Sequence, residues 1–402
     1  MQSADPATVS PRPRFPALDP EPPPRRWRRA GVMLLVVLAG LGTWLGFTAS
    51  GPTAQHAGAS SSVPRVRGLS GVVLSEMPGS FLSATDIATG KAVVFKSLGQ
   101  FSSSPNPAVS ADNRYLLDAA VGRLLALSRP GHLETVPNAL SFSAGNMPGF
   151  MANPWSGNDA DVVELTYPVN PQGFQAGIPV ATVESVRTGR AVSLGQADSA
   201  AGDPRQAGAF IAVPAPGRPL SNGIQPDARL ILADAGAHSR LIATTDQLNH
   251  TLGNEPGTVV SLIPVPNPLG SMVAVEVVSP TGGTSGLVVL SRNGAVLGSD
   301  SGIGFTGAIG WSHSGAVLAF ASLGYAGAEF TEWKIGVQSV STALHDASTR
   351  IGPTACAWSP DDVSVLCDGG PRGNWLVIRS NTESVTAGQG QPLAWTPGRL
   401  GG

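Results

Sequence analysis

The chain has 402 residues, of which 50 are glycine and 35 are proline, and only 13% are charged. Glycine and proline are the two poorest helix formers, so this composition excludes a mostly helical protein. The apolar content of 42% argues against general disorder. The formal net charge of −2 gives no support for nucleic-acid binding, which requires a basic surface.

The N-terminal segment predicts a disordered cytoplasmic tail over residues 1–29. Residues 1–30 contain eight prolines and six arginines, a composition that favours polyproline II and supplies no apolar core. Four of those arginines directly precede an apolar run, at Arg25, Arg26, Arg28 and Arg29.

Residues 30–49 form an uncharged run of twenty residues, which predicts a transmembrane helix. At about 1.5 Å per residue the helix would span about 30 Å, the thickness of a bilayer core. The arginines before it predict a single-pass protein with a cytoplasmic N-terminus. Small residues at 48–50 and 57–59 leave a cleaved signal peptide as an alternative. Gly42 and Gly46 have GxxxG spacing, which predicts a weak homodimer contact between helices.

The remainder of the chain predicts a linker and then an all-β domain outside the cell. Residues 50–64 are small and polar, which is typical of a flexible linker. Helical periodicity is nearly absent from residues 65–402. Short β-branched runs such as 92–95 and 286–290 recur there instead, separated by turn residues, which favours hairpins.

A repeated unit indicates how these strands are arranged. Residues 307–320 and 353–367 each show a strand that ends in Trp-Ser, a tight polar turn and a second apolar strand. Related positions occur near residues 109, 155, 213, 264, 311, 358 and 395, with spacings of 46, 58, 51, 47, 47 and 37. Four-stranded propeller blades repeat at roughly 40–50 residues, so this spacing predicts a β-propeller.

The ends of the repeat predict how the ring closes. The last copy, which begins at Pro392, contains only one strand, and residues 71–76, 81–87 and 91–95 supply three more. Pairing these strands gives a seven-bladed propeller with short, protected sheet edges. A count of six or eight blades stays open because the spacing of 58 residues is irregular.

The turn motif also resembles a known repeat. Trp-Ser-Pro-Asp-Asp at 358–362, with related strings at 311–315 and 110–114, resembles the TolB-like, WD-related propeller repeat of bacterial envelope proteins. The resemblance implies a propeller in a membrane-anchored protein of the bacterial cell envelope. It implies little about activity, because the repeat occurs in binding proteins, in the propeller caps of peptidases and in some sugar lyases.

The two cysteines, Cys356 and Cys367, lie symmetrically about a turn centred on Asp361 and Asp362. Directly opposed residues of paired strands lie about 4.5–5.5 Å apart, within reach of a disulfide. An oxidising exterior would permit the bond. Two buried thiols packed as small apolar residues are the alternative.

Signatures of catalysis and of metal binding are weak in the sequence. The string at 310–315 resembles a nucleophile elbow, but Ser314 occupies the position where that motif requires glycine. The six histidines show no metal-ligand spacing, and sugar lyases on this scaffold use clustered histidines and a metal. A polar turn at 158–161 is a better interpretation than a calcium site. The sequence therefore predicts no catalytic residue, no metal and no cofactor, and a protein that is not an enzyme.

The long loops of the predicted blades indicate a binding surface. In a propeller the loops between second and third strands share a face with the connections between blades. Aromatic residues and arginine dominate binding hot spots. The candidate residues in or beside these loops are Tyr167, Phe174, Tyr325, Phe330, Trp333, Arg372 and Trp375. Packing between blades is the alternative for Trp333 and Trp375.

Together these observations predict a membrane-anchored propeller outside the cell that acts as a non-catalytic protein-interaction or scaffold module. Its partner would be an envelope protein or polymer, which the sequence does not identify. A ligand-binding or glycan-binding sensor is the alternative. An enzyme whose residues converge from several blades is a third hypothesis.

Overall fold

The structure is a computed structural model that describes residues 66–400, apart from residues 78, 80, 97–107, 119–121, 130–131, 141–152, 169–176, 218–225, 256, 280–285, 302–303, 325–326 and 346–352. The predicted tail, membrane span and linker, with the Gly42 and Gly46 pair, lie outside the described residues. Within the described part of the chain, no helix is long and apolar enough to cross a membrane.

The described residues form seven antiparallel sheets of four strands each, which we call blades. We letter the strands of each blade a to d from the centre outwards, since the a strands of neighbouring blades contact one another. Blade 1 consists of β28 (Gln391–Thr396), β1 (Val72–Met77), β2 (Phe81–Asp86) and β3 (Ala92–Val94). Blade 2 consists of β4 (Ala108–Val109), β5 (Tyr115–Asp118), β6 (Arg123–Arg129) and β7 (His132–Val136). Blade 3 consists of β8 (Trp155–Ser156), β9 (Asp161–Thr166), β10 (Val180–Ser185) and β11 (Ala191–Gln196).

The remaining four blades follow in chain order. Blade 4 consists of β12 (Ser199–Gly202), β13 (Gly208–Pro214), β14 (Asp227–Asp234) and β15 (Ser239–Thr244). Blade 5 consists of β16 (Ser261–Pro266), β17 (Met272–Val278), β18 (Gly286–Ser291) and β19 (Val296–Ser301). Blade 6 consists of β20 (Gly304–Trp311), β21 (Val317–Gly324), β22 (Gly327–Lys334) and β23 (Val337–Ala343). Blade 7 consists of β24 (Cys356–Trp358), β25 (Ser364–Cys367), β26 (Trp375–Arg379) and β27 (Thr382–Thr386).

The ring closes in blade 1, where the C-terminal strand pairs with the N-terminal ones. Strand β28 runs antiparallel to β1, with Trp395 opposite Val73. The indole Nε1 of Trp395 also donates to the carbonyl oxygen of Ser70 at 3.0 Å. The predicted seven-bladed propeller, closed by its terminal strands, is therefore confirmed.

Both faces of each sheet are apolar because neighbouring blades pack against them. Val273, Val275 and Val277 of blade 5 lie in one cluster with Phe210 and Leu230 of blade 4. Burial of apolar surface is the main favourable term in folding, and a sheet that is buried on both faces has few positions for charged residues. This arrangement accounts for the low charge of the chain.

The repeated tryptophans join the central strands of neighbouring blades. The Nε1 atom of Trp311 donates to the carbonyl of Val265 at 2.8 Å, and that of Trp358 donates to the carbonyl of Gly310 at 3.2 Å. Trp155 donates in the same way to the preceding blade. The tryptophan that marks the repeat in the sequence is thus a fixed contact between blades.

The polar residues of the repeat close the turn between strands a and b. The Ser312 hydroxyl accepts from the backbone N–H of Val317 at 3.2 Å, so this serine of the elbow-like string has a structural partner. Asp362 adopts a left-handed conformation (φ 57°), and its carboxylate accepts the backbone N–H groups of His313 and Ser314, each at 2.8 Å. Asp159 makes equivalent contacts to blade 2.

Two local features complete the fold. Cys356 and Cys367 lie directly opposite each other on paired strands and form a disulfide, with Cα atoms 4.1 Å apart. The sequence did not predict the helix α1 (Thr245–Leu252), which connects blade 4 to blade 5. Thr244 caps its first turn, and Gly253, in a left-handed conformation (φ 74°), ends it.

Candidate ligand-binding face

The propeller has two faces that carry different connections. We call the face with the b–c loops and the connections from strand d to the next strand a the loop face. Its described residues include 167–168, 177–179 and 215–217. The opposite turn face carries the a–b and c–d turns, such as 110–114 and 359–363. The binding surface predicted from the sequence corresponds to the loop face.

Only part of the predicted binding set lies on this surface. Tyr167 is half-buried just after strand β9, and Arg372 is exposed in the loop between β25 and β26. Arg372 has a left-handed backbone conformation, with φ of 59°. Phe174 and Tyr325 lie outside the described residues.

Phe330, Trp333 and Trp375 are buried between blades, which corrects their predicted role in binding. Phe330 belongs to the cluster between blades 6 and 7. The ring of Trp333 meets Trp311 edge-on, with centroids 6.4 Å apart. The Nε1 atom of Trp375 donates to the carbonyl oxygen of Gly390 at 2.8 Å. Each ring lies on a c strand and faces a neighbouring sheet, so the alternative of interblade packing holds for Trp333 and Trp375.

Two acidic residues that sequence reasoning missed lie on the loop face near Tyr167. Asp198 directly precedes β12, and Asp227 is the first residue of β14. The Oδ2 atom of Asp227 accepts the backbone N–H of Leu262 in blade 5 at 2.7 Å. The hydroxyl of Ser199 donates to the Leu262 carbonyl oxygen at 2.6 Å. Backbone contacts to blade 5 therefore fix the position of both acidic segments.

Asp227 is deeply buried. Only 4% of its surface is exposed, and its Oδ1 atom has no hydrogen-bond partner among the described residues, which exclude residues 218–225 of the adjoining loop. The backbone around it is firmly held, since its N–H donates to Val260 at 3.0 Å and its carbonyl accepts the Thr245 hydroxyl at 2.9 Å. A buried carboxyl oxygen without a partner costs free energy, so a residue of this kind is a candidate for contact with a ligand.

The electrostatics of the three side chains are coupled. Burial raises the pKa of Asp227 to about 8, and the charge of Asp198 adds to that rise. Burial also raises the pKa of Asp198. The pKa of the Tyr167 hydroxyl is raised by burial and by Asp198. At neutral pH Asp227 is thus a neutral hydrogen-bond donor that is electrostatically coupled to the half-buried carboxyl of Asp198.

A metal centre does not fit the described residues. They contain no group of three or more His, Cys, Asp or Glu side chains that could hold a metal ion. The carboxylate of Asp159, in the turn considered for calcium, is engaged by backbone N–H groups of blade 2.

Comparisons with known proteins were made with both the sequence and the structure. No family model matches the chain, and no curated protein matches its sequence. An oligogalacturonate lyase in complex with manganese is similar in structure, with a TM-score of 0.51 and 14% identity over 77% of this chain and 83% of the other. Oligogalacturonate lyase from Vibrio parahaemolyticus has a TM-score of 0.50 and 10% identity over 78% and 91% of the two chains. These likenesses show the fold alone.

The comparisons correct one prediction. Two of the solved structures that share this propeller fold are lyases, which contradicts the expectation that a propeller of this kind is not an enzyme.

Proposed function

We propose that this propeller binds a hydroxyl-rich ligand of the cell envelope, such as a glycan, at the loop-face site formed by Tyr167, Asp198 and Asp227. The observation that carries the proposal is the buried Oδ1 atom of Asp227, which has no partner among the described residues, together with the electrostatic coupling of Asp227 and Tyr167 to the half-buried Asp198. A protonated carboxyl donates and an ionised one accepts, and a sugar hydroxyl requires both kinds of partner. A role as a protein-binding scaffold stays a prediction.

The proposed location is the bacterial cell membrane. We propose that residues 30–49 anchor the chain with its N-terminus in the cytoplasm and the propeller outside. The uncharged length of that segment and the arginines before it support the anchor. The resemblance of the a–b turns to TolB-like repeats supports an envelope protein, and the disulfide between Cys356 and Cys367 suits an oxidising exterior.

Binding to an oligosaccharide array tests the proposed ligand class. The full chain in detergent micelles is applied to an array of neutral and acidic oligosaccharides, including oligogalacturonides. We expect binding that falls at least tenfold in Asp198→Asn and that weakens above about pH 8, where Asp227 loses its proton. Glu255→Gln, an exposed acid after helix α1, is the matched control. An array without any bound sugar, or equal binding by Asp198→Asn, would refute the proposal.

Acid–base catalysis on the bound ligand is a second candidate function. The observation that favours it is a pair of electrostatically coupled carboxyl groups, of which Asp227 stays protonated to about pH 8. Asp227 could then act as a general acid and Asp198 as a general base. Mass spectrometry of a bound oligosaccharide after incubation tests this function, and Asp227→Asn should abolish turnover while binding is retained. Absence of any product from wild-type protein would exclude it for that sugar.

A further inference from the structure

The turn face carries most of the exposed large apolar side chains. The turn face consists of the a–b and c–d turns. We count with it the two strand residues on each side of every turn and residues 66–71 and 397–400. Its exposed apolar residues are Val93, Leu269, Val296, Ile335, Val337 and Val363. Leu269 is 57% exposed, Ile335 is 52% exposed and Val337 is 57% exposed. In the described part of the loop face, by contrast, no large apolar residue is exposed to this degree.

Most of the fully exposed charged side chains of the same face are basic, while most of its acids are half-buried or buried. Its exposed basic residues are Arg67, Lys91, Arg114, Arg187, Arg190, Arg205, Arg240, Lys334, Arg379 and Arg399. Among its described residues only two acids are equally exposed, Asp112 and Asp361. Mixed basic and apolar side chains on one surface are typical of binding to an anionic lipid interface, because the cations attract the headgroups while the apolar groups enter the boundary region.

The chain also enters the propeller at this face. Residues 66–71 lead into the first residue of β1, Val72, which lies at the turn-face end of its strand. The carbonyl of Ser70 is fixed there by the indole of Trp395. The segment that the sequence predicts as an anchor, residues 30–49, is therefore joined to the propeller through the turn face.

We infer that the turn face rests on the outer surface of an anionic membrane. This inference depends on the membrane anchor of the proposed function. The exposed basic residues come from six of the seven blades or from the segments beside them, so the contact would involve most of the ring rather than one loop. The loop face, with Asp198 and Asp227, then points away from the bilayer.

The test measures the distance of each face from lipid. The full chain carries a fluorophore at Ile335→Cys on the turn face or at Glu255→Cys on the loop face, with the native disulfide left intact. Each protein is reconstituted into vesicles with 30% phosphatidylglycerol or with phosphatidylcholine alone, both containing headgroup-quenched lipid. We expect at least threefold stronger quenching at position 335 than at position 255 in the anionic vesicles. The difference should shrink at 1 M salt, where the Debye length falls from about 10 Å at 0.1 M to about 3 Å.

Charge variants provide the matched comparison. Arg187→Gln with Arg190→Gln removes two cations from one c–d turn of the turn face and should reduce quenching at position 335 at least twofold. Arg229→Gln removes an exposed cation near the loop-face end of β14 and should leave quenching unchanged. Equal quenching in neutral and anionic vesicles, or equal quenching of the two probes, would overturn the inference.

Failure of the anchor gives a different result. If residues 30–49 do not insert, the protein does not float with phosphatidylcholine vesicles in a density gradient, because these vesicles offer no anionic lipid to the turn face. If the anchor holds and the turn face does not dock, the protein floats and the two probes are quenched equally. Salt-sensitive binding of a soluble anionic polymer without quenching by vesicles would identify a polymer partner and would likewise overturn membrane docking.

Discussion

Replacement of Asp227 by asparagine should change how the stability of the propeller depends on pH. The pKa of Asp227 rises from 3.8 to about 8 in the folded protein because the carboxyl is buried. Between these values the folded state keeps a proton that the unfolded state releases. The free energy of unfolding therefore falls as pH rises, by about 1.4 kcal/mol per pH unit from this group alone.

The variant removes this contribution while it preserves the local contact. An asparagine side chain keeps an oxygen that can accept the N–H of Leu262, which Asp227 accepts at 2.7 Å. From pH 5 to pH 7 the wild-type protein should lose about 3 kcal/mol relative to Asp227→Asn. Glu164 and Glu276, whose pKa values burial raises to about 7, contribute the same slope in both proteins and cancel.

Urea denaturation of the full chain in detergent micelles, followed by tryptophan fluorescence at pH 5, 6 and 7, measures the difference. Glu255→Gln, an exposed acid on the same face, is the control and should follow the wild-type curve. Parallel curves for wild type and Asp227→Asn would show that Asp227 is ionised in the folded protein, and the reasoning about its burial would then be wrong.

Three further predictions concern contacts that hold the blades. The double variant Cys356→Ser with Cys367→Ser should lower the free energy of unfolding by about 3 kcal/mol, because the disulfide closes a loop with a sequence separation of 11. Thermal unfolding with and without reductant measures this loss. Gly388→Ala should prevent stable folding, since a Cβ there would lie 1.9 Å from the Trp375 ring. The yield of folded protein checks this prediction. Gly310→Ala is the control, because a Cβ at that position would meet open space. Asp362→Ala should cost about 2 kcal/mol by leaving two backbone N–H groups of blade 6 without their acceptor, and an unchanged melting temperature would contradict it.

The repeat was readable from the sequence because it depends on short-range spacing. Trp311-Ser312 and Trp358-Ser359 recur at the same place in successive blades, where the indole bonds the preceding blade and the serine closes the turn. The lone first strand at the C-terminus then predicted the closure in blade 1, which the pairing of β28 with β1 confirms.

The candidate site was not readable in the same way. Asp227 meets Leu262 across 35 residues of sequence, and no local motif marks either residue. The aromatic residues chosen from the sequence stand next to the loops in the chain, but side chains alternate along a strand, and those of Trp333 and Trp375 point into the interblade cores. Of the described candidates, Tyr167 and Arg372 lie on the loop face without being buried, and their role in binding stays a prediction.

The closing strand has a consequence for the order in which the protein can be made. Strands β1, β2 and β3 are synthesised first, yet their blade is completed by β28, which lies more than 300 residues later. Until β28 is available, β1 presents an unpaired edge, which is open to pairing with another chain. The ring therefore cannot seal before β28 pairs with β1, and blade 1 is completed later than the blades that are formed from consecutive strands.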